Sequence, residues 1–322
     1  MPELQTTWGW LLAAELFLIG IGAGIFLVTA ILYLVSKERY RDTIRFGAWA
    51  SVIGVGGGLL FLLAEIGKPL RAMLIPFYFV NFGSWLTIGA YIVLFTFMLY
   101  VLYALLATDR ISGWLGQWLK IVVDKNALLR TILCIIGIPL SLGAALYGGM
   151  LLSAVPFIPF WYTGLLPAVF TFSSLFGGVA AVAAFAILRE KGDGARKLQN
   201  ILGITLIVLA LVTGICIWVL MRSMLSGSEG AVYSAEMLTE GALSNTFWIV
   251  VIAMGLVLPI LLTGIYLTRL FKNYGKALAV AGVVSGLAGV FTLRLLVLSV
   301  GLHAPLGIPA LDQVFSGITF IP

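Results

Sequence analysis

Long, uninterrupted apolar runs dominate the chain, and short polar segments separate them. Each run is long enough to cross a bilayer as a helix, which takes about 20 residues. The runs do not alternate between apolar and polar positions, as the strands of a membrane barrel would. The pattern therefore predicts an all-α polytopic membrane protein with eight transmembrane helices. The predicted spans are residues 9–35, 44–66, 82–107, 130–154, 164–188, 198–221, 245–270 and 277–302.

Composition supports this fold class. Of the 322 residues, 61% are hydrophobic and 10% are charged, whereas a soluble domain carries about 25% charged residues. We expect a single integral membrane domain over residues 1–322, because no long linker and no internal sequence repeat is evident. The N-terminus lacks a positively charged segment before the first run, so this run is predicted to be a span and not a cleavable signal.

The distribution of basic residues predicts the topology. Net charge is +6, and 15 of the 19 lysines and arginines lie in the connections after the first, third, fifth and seventh spans. Cytoplasmic loops carry an excess of Lys and Arg, so both termini are predicted to lie on the outer, non-cytoplasmic side. The positive charge is thereby explained without a nucleic acid partner.

Three segments outside the spans carry further signals. Apolar residues at helical spacing in residues 111–122 predict a short amphipathic helix on the cytoplasmic surface. The outer connection 222–244 is polar and acidic, and we interpret it either as a solvated loop or as a docking surface for a partner subunit. The apolar tail 304–322 contains three prolines and is expected to fold over the outer face.

The metal-ligating residue types are scarce. Cys134 and Cys216 lie inside apolar runs, and two cysteines cannot supply the four thiolates of an iron–sulfur cluster. His303 is the only histidine, which excludes bis-histidine haem ligation, and no metal site is predicted. Redox chemistry in this protein would therefore need a bound organic carrier or the prosthetic groups of another protein.

Ionisable residues near or within the spans are the main functional signal. Such residues cost about 2.5–3.5 kcal/mol at the bilayer centre on insertion scales, and they usually face a cavity or a partner. Glu15 lies in the first span and Arg294 in the eighth, while Glu65, Lys68 and Arg71 lie at the outer mouth of the second. The predicted topology places all five in the outer leaflet.

The helical register predicts that two of these side chains, those of Glu15 and Arg294, face the interior of the bundle. Arg294 continues an i+4 row with Gly282 and Gly286, and small residues mark close helix packing. Opposite charges at similar depth predict that Arg294 pairs with Glu15, Glu65 or both. Such a pair either belongs to a functional site or only orders the bundle.

Two aromatic residues are predicted at the same level of the membrane. Tyr147 precedes Gly148 and Gly149 in the fourth span, where it either packs against neighbouring helices or lines a pocket. Trp85 opens the third span from the outside, either as an interfacial anchor or as a pocket residue. Both residues therefore join the candidate site.

Four segments, in sequence order, carry a resemblance to a known family. They are WGWLLAAELFLIGIGAGIFLV; EIGKPLR followed by FGSWLTIGAYIVL; YGGMLLSAVPFIPFW with LLPAVFTFSSLFGG; and TLRLLVLSVG. Together they resemble the NrfD/PsrC-type membrane subunits of polysulfide-reductase-like molybdoenzyme complexes. The match covers most of the sequence.

The resemblance implies a haem-free quinone- or quinol-binding anchor subunit, with no iron–sulfur cluster of its own and a menaquinone-type quinone bound near the outer face. It also implies a ferredoxin-like iron–sulfur subunit docked on that face, a molybdopterin catalytic subunit, and a position in the lipid of the cytoplasmic (inner) membrane of a prokaryote. The pocket positions that it implies are Glu15, Glu65, Tyr147 and Arg294.

Quinol oxidation releases two protons with two electrons, so the site needs a polar end that accepts protons and an apolar slot. Glu15 or Glu65 is the predicted catalytic proton acceptor, Tyr147 or Lys68 would hydrogen-bond a quinone oxygen, and Arg294 would hold the carboxylate. Two alternatives remain: a quinone-free anchor or proton conduit, and a secondary transporter with helices broken at the midplane. The predicted binding residues are Glu15, Glu65, Lys68, Arg71, Trp85, Tyr147 and Arg294.

Overall fold

The computed structural model describes residues 8–66, 81–118, 124–191, 194–269 and 275–302. Within these ranges the protein is helical, with no β-strand, and eight helices are long and apolar enough to cross a membrane. The predicted all-α fold with eight spans is therefore confirmed. The helices are α1 Trp10–Ser36, α2 Arg41–Ile66, α3 Trp85–Ala107, α4 Asp109–Trp118, α5 Asn126–Ser153, α6 Leu165–Arg189, α7 Ala195–Met224, α8 Glu229–Thr239, α9 Thr246–Thr268 and α10 Gly275–Ser299.

Helix ends differ from the predicted spans by a few residues. The largest difference is at α5, which begins at Asn126, four residues before the predicted start. Only Asn126 is polar among the four added residues, which belong to the helix although they precede the predicted span. Hydropathy locates the part of a helix that lies in hydrocarbon and not the helix end itself.

Helix α1 lies at the centre of the molecule and contacts α2, α5, α6 and α10. Glycines permit this close packing on two sides. A Cβ atom on Gly24 would collide with the backbone carbonyl of Ser174 in α6, and one on Gly22 would lie 2.8 Å from the backbone nitrogen of Val55 in α2. These contacts require small residues because the helix backbones themselves approach one another.

The spans form two four-helix groups with the same pattern of neighbours. In the first group α1 packs on α2, α2 on α3, α3 on α5, and α5 back on α1. The second group repeats this cycle with α6, α7, α9 and α10, and the α1–α6 contact joins the two groups. Antiparallel helices with short connections generate such bundles without a sequence repeat.

The short helix α4 confirms the helix predicted in residues 111–122, although it begins earlier, at Asp109, and residues 119–123 lie outside the described part of the protein. Its Trp114 side chain is exposed. An exposed tryptophan on a short amphipathic helix is typical of a membrane interface. The side of the membrane on which α4 lies stays a prediction.

The connection 222–244 is not a simple solvated loop, so that interpretation is wrong. It contains α8, which buries Ala231, Ser234, Ala235 and Leu238. The Ser234 hydroxyl donates a hydrogen bond of 2.7 Å to the carbonyl of Val300, just beyond α10. Helix α8 therefore covers that end of the second group. The predicted position of the tail 304–322 lies outside the described residues.

Charged residues cluster at the end of the first group where α1 and α3 finish and α2 and α5 begin. Asp109 forms ion pairs with Arg41 and Arg45, and Glu38 pairs with the buried Arg130. The Arg130 guanidinium also lies 4.2 Å from the ring centroid of Tyr33. These contacts tie together the connections that the basic pattern assigns to the cytoplasmic side.

Candidate functional site

Glu15 is a buried carboxyl group inside a membrane-spanning helix. It lies five residues after the start of α1, which is about 8 Å along the axis. Its side chain is 1% exposed, and its Oε2 atom has no hydrogen-bond partner. Helix α2 approaches this turn closely, since a Cβ on Gly58 would lie 3.1 Å from the Glu15 carbonyl oxygen. The backbone at Glu15 is therefore closely packed, while one oxygen of its buried carboxyl group has no hydrogen-bond partner.

Glu65 supplies a second carboxyl group to the same region. It lies in the last turn of α2, is half-buried, and also has an Oε2 atom without a hydrogen-bond partner. Gly58, seven residues earlier on the same face of α2, packs against the Glu15 turn of α1, and Glu65 lies about 10 Å further along α2. Two carboxyl groups with unsatisfied oxygens thus lie on adjacent helices near the same end of the first group.

Tyr147 of α5 completes a three-residue site. Its side chain is 6% exposed, and its ring packs on Gly89 of α3 so closely that a Cβ there would collide with it. The next residue of α5, Gly148, packs on Leu16, the residue after Glu15 in α1. Carboxyl groups and a phenol can donate or accept hydrogen bonds and exchange protons. The first helix group therefore holds a polar site within an apolar interior.

Arg294 lies in α10 and does not join this site. Its side chain is 1% exposed and donates hydrogen bonds to Ser174 Oγ at 2.7 Å, to the Val290 carbonyl at 3.1 Å and to Ser173 Oγ at 3.4 Å. Within the described residues, none of its hydrogen bonds or ion pairs reaches a carboxyl group. The predicted pairing with Glu15 or Glu65 is therefore wrong.

The geometry of α1 explains this outcome. Arg294 lies beside Gly20, where a Cβ would be 3.0 Å from its Nη2 atom. Glu15 is five residues from Gly20, which places it about 140° away around the helix. Sequence reasoning recovered the depth of both residues but not the helix groove that each occupies. It also missed Ser173 and Ser174, two adjacent hydroxyl residues in an apolar span.

One of the remaining predicted binding residues, Trp85, lies within the described part of the protein. Trp85 is the first residue of α3 and is 38% exposed, as an interfacial anchor would be. Lys68 and Arg71 lie outside the described residues. The structure therefore brings together Glu15, Glu65 and Tyr147.

Metal-ligating groups are dispersed over the described ranges. There, no cluster of three or more His, Cys, Asp or Glu side chains could hold a metal ion. Cys134 is buried, Cys216 is half-buried, and both are free thiols. The polar chemistry of the described interior therefore centres on carboxyl, phenol and guanidinium groups.

Comparison with known proteins identifies the family. Residues 2–305 match the family described as "Polysulphide reductase, NrfD". The protein is 29% identical to the C component of polysulfide reductase from Wolinella succinogenes, over 91% of its own length and 94% of that relative. It is 26% identical to protein NrfD of Escherichia coli, with the same two coverages.

A further relative is the C component of selenate reductase from Mesobacillus selenatarsenatis. The two proteins are 24% identical, and the match covers 80% of this protein and 66% of that relative. The family match extends over all eight spans and includes Glu15, Glu65 and Tyr147. The protein therefore belongs to the NrfD family of polysulphide reductase proteins.

Proposed function

We propose that this protein is the haem-free quinone- or quinol-binding membrane subunit of an oxidoreductase complex, with its site at Glu15, Glu65 and Tyr147. The observation that carries the proposal is the pair of buried carboxyl oxygens, one on Glu15 and one on Glu65, that lack hydrogen-bond partners. A buried polar group without a partner costs about 1–3 kcal/mol. A ligand that hydrogen-bonds both groups would remove this cost.

The residues fit a quinone or quinol in chemical type. Quinol hydroxyls donate hydrogen bonds to carboxylate oxygens, and quinone oxygens accept them from a phenol or a protonated carboxyl group. The site also has apolar surroundings, since Leu16, next to Glu15 in α1, packs on Gly148 of α5 beside Phe170. Ligand sites of this kind combine apolar walls with a few converging polar groups.

When bound, the quinone supplies two-electron, two-proton chemistry. Glu15 and Glu65 accept or return protons at their carboxyl oxygens, and Tyr147 orients the ring through its hydroxyl group. Burial of Glu15 and Tyr147 excludes water from this exchange. Lys68, Arg71 and Trp85 remain proposed rim residues. Arg294 acts at a distance, because its contact at Gly20 holds α1 in position.

The partners follow from the family. Two relatives are named as components of reductases, which supports a role within a larger enzyme. We assign electron transfer to a ferredoxin-like iron–sulfur subunit on the outer face and to a molybdopterin catalytic subunit. The bacterial relatives and the basic connections support a cytoplasmic membrane location with both termini outside.

The transporter alternative gains no support from the helices. Secondary transporters often bind their substrates where helices are broken at the midplane, whereas each of the eight described spans is a single run of helix, although the first half of α9, Thr246–Val257, is a π-helix. A quinone-free anchor remains the rival to exclude.

Turnover of the purified complex tests the proposal. Glu15→Gln and Tyr147→Phe should lower quinol-linked turnover by about 10²–10⁴-fold, as expected when a proton-transfer group is lost. Electron exchange between the catalytic partner and a soluble dye should not change. Asp42→Asn, on the exposed start of α2 at the opposite end of the bundle, is the matched control. Unchanged quinol turnover in both site variants, with no quinone in a lipid extract, would favour the quinone-free anchor.

A further inference from the structure

A large apolar groove opens toward the membrane between α3 and α5. Its volume is about 670 Å³, within the range of about 300–1,000 Å³ that is usual for ligand pockets. Both walls carry large side chains, and several of these are about half exposed. Its main lining residues are Phe95, Met98, Leu102, Leu133, Ile136 and Leu140.

The groove is aligned with the candidate site on the same two helices. Tyr147 follows Leu140 by seven residues on α5, and Gly89 precedes Phe95 by six residues on α3. At 1.5 Å per residue, these separations are about 10.5 Å and 9 Å. Because the Tyr147 ring packs on Gly89, the groove begins about two turns below the phenol, near the middle of both helices, and continues toward their opposite ends.

Between the site and the groove, α3 and α5 pack closely but only α3 contributes a side chain. Gly143 of α5 and Ile92 of α3 are both half-buried there. A Cβ on Gly143 would lie 3.3 Å from Ile92 Cγ2. Glycine at this position therefore leaves the seam between the two helices without a side chain from α5.

A proline in α5 lies beside the groove below this seam. Pro139 lies in the interior of the helix, next to Leu140. Proline has no backbone N–H, and its ring pushes away the carbonyl four residues earlier, here that of Ile135. The α3 and α5 surfaces on this side leave Met98 59% exposed and Ile136 49% exposed.

We infer that this groove binds the isoprenoid tail of the quinone whose ring lies at Tyr147. This inference rests on the proposed function. A ring dissolved in the bilayer reaches a buried site only between helices, and its tail stays in the hydrocarbon. The groove favours this occupant over an ordinary phospholipid because its α5 wall leads to the polar site, with Leu140 and Tyr147 seven residues apart on one face of α5. The lipid is as apolar as the groove, so packing and alignment supply the selectivity.

Ligand binding to the full-length protein in phosphatidylcholine nanodiscs tests this inference. The two radiolabelled probes are a naphthoquinone with a long isoprenoid tail and 2,3-dimethyl-1,4-naphthoquinone, which has none. Met98→Trp and Ile136→Trp fill the groove from opposite walls. Ile204→Trp is the matched control, because Ile204 is 57% exposed on the apolar surface of α7.

The two groove variants should weaken binding of the tailed quinone by about tenfold, the equivalent of roughly ten lost heavy-atom contacts. Binding of the tail-less quinone should not change in either variant, and the control should bind both probes normally. Unchanged binding of the tailed probe would overturn the inference and leave the groove to bilayer lipid. Equal weakening of both probes would overturn it as well, because the substitutions would then distort the site. Failure of the unchanged protein to bind either probe would overturn the proposed function along with it.

Discussion

The buried carboxyl group of Glu15 does not stabilise the folded protein. Its carboxyl group is removed from water, yet one oxygen has no hydrogen-bond partner. A group kept for packing would be replaced by an apolar side chain of similar size at no loss. The same contrast applies to Glu65, whose Oε2 atom is also unsatisfied. We interpret both as groups retained for binding and proton transfer.

This interpretation predicts opposite effects on stability and function. Glu15→Leu should raise the free energy of unfolding by about 1–3 kcal/mol, because the unsatisfied polar group is lost. Thermal unfolding of the purified protein measures this change, and quinol-linked turnover should fall at the same time. Leu16→Ala, the adjacent buried position, should instead destabilise the protein by about 2–5 kcal/mol. A destabilised Glu15→Leu variant would show that Glu15 is a structural residue.

Arg294 differs from the two carboxyl residues in that its Nη1 and Nη2 atoms donate hydrogen bonds within the protein, while its buried Nε atom has no partner. The Arg294→Leu and Ser174→Ala substitutions should be coupled by about 0.5–3 kcal/mol in a double-mutant cycle, since the two side chains share a hydrogen bond of 2.7 Å. Arg294→Leu and Glu15→Gln should be additive to within about 0.5 kcal/mol. Chemical unfolding in detergent measures both cycles. Strong coupling between Arg294 and Glu15 would contradict this expectation and would indicate an ion pair that the structure does not show.

At the level of helices, the sequence predicts the spans well because each one must be apolar along its length. The packing of one helix against another is harder to predict from the sequence. The Gly20 and Gly24 pair indicates a close contact, but only the structure shows that the partner is Ser174 of α6. Helix α8 was missed because its buried face is short and depends on contacts near the end of α10.

The close contact of α1 with α6 gives a direct prediction. Gly24→Ala should destabilise the protein by about 1–3 kcal/mol, because its Cβ meets the Ser174 backbone, which cannot move without shifting α6. Gly264→Ala is the matched control in α9, where a Cβ has nothing within 4 Å. There the gain in helix propensity should stabilise the protein by up to about 1 kcal/mol. Equal thermal stability of the two variants would contradict the proposed tight packing.

In the whole molecule, as far as the described residues extend, the paired carboxyl groups lie in the first helix group, while Arg294 lies between α1 and the second group. The sequence predicted the depth of these residues from the topology and their inward faces from helical spacing. It could not predict their partners, because the position around α1 separates Glu15 from Gly20 by about 140°. The depth of a residue can therefore be predicted from its own helix, whereas the partner of its side chain depends on how several helices pack together.

The predicted topology can be tested on intact cells. Lys125→Cys lies just before α5, and Ser226→Cys lies between α7 and α8; both positions are exposed. A membrane-impermeant thiol reagent should label the Ser226 variant from outside and should label the Lys125 variant only after lysis. The unchanged protein, whose cysteines lie within spans, gives the background. The reverse labelling pattern would invert the assignment of sides.

The central claim is that the quinone ring binds between Glu15, Glu65 and Tyr147. Its most direct test is photolabelling of the purified complex with an azidoquinone, followed by mass spectrometry of the peptides. We predict adducts in the α1 peptide that contains Glu15 and in the α5 peptide that contains Tyr147, and excess unlabelled quinol should suppress both. Adducts confined to other helices, or labelling that quinol does not suppress, would contradict the claim.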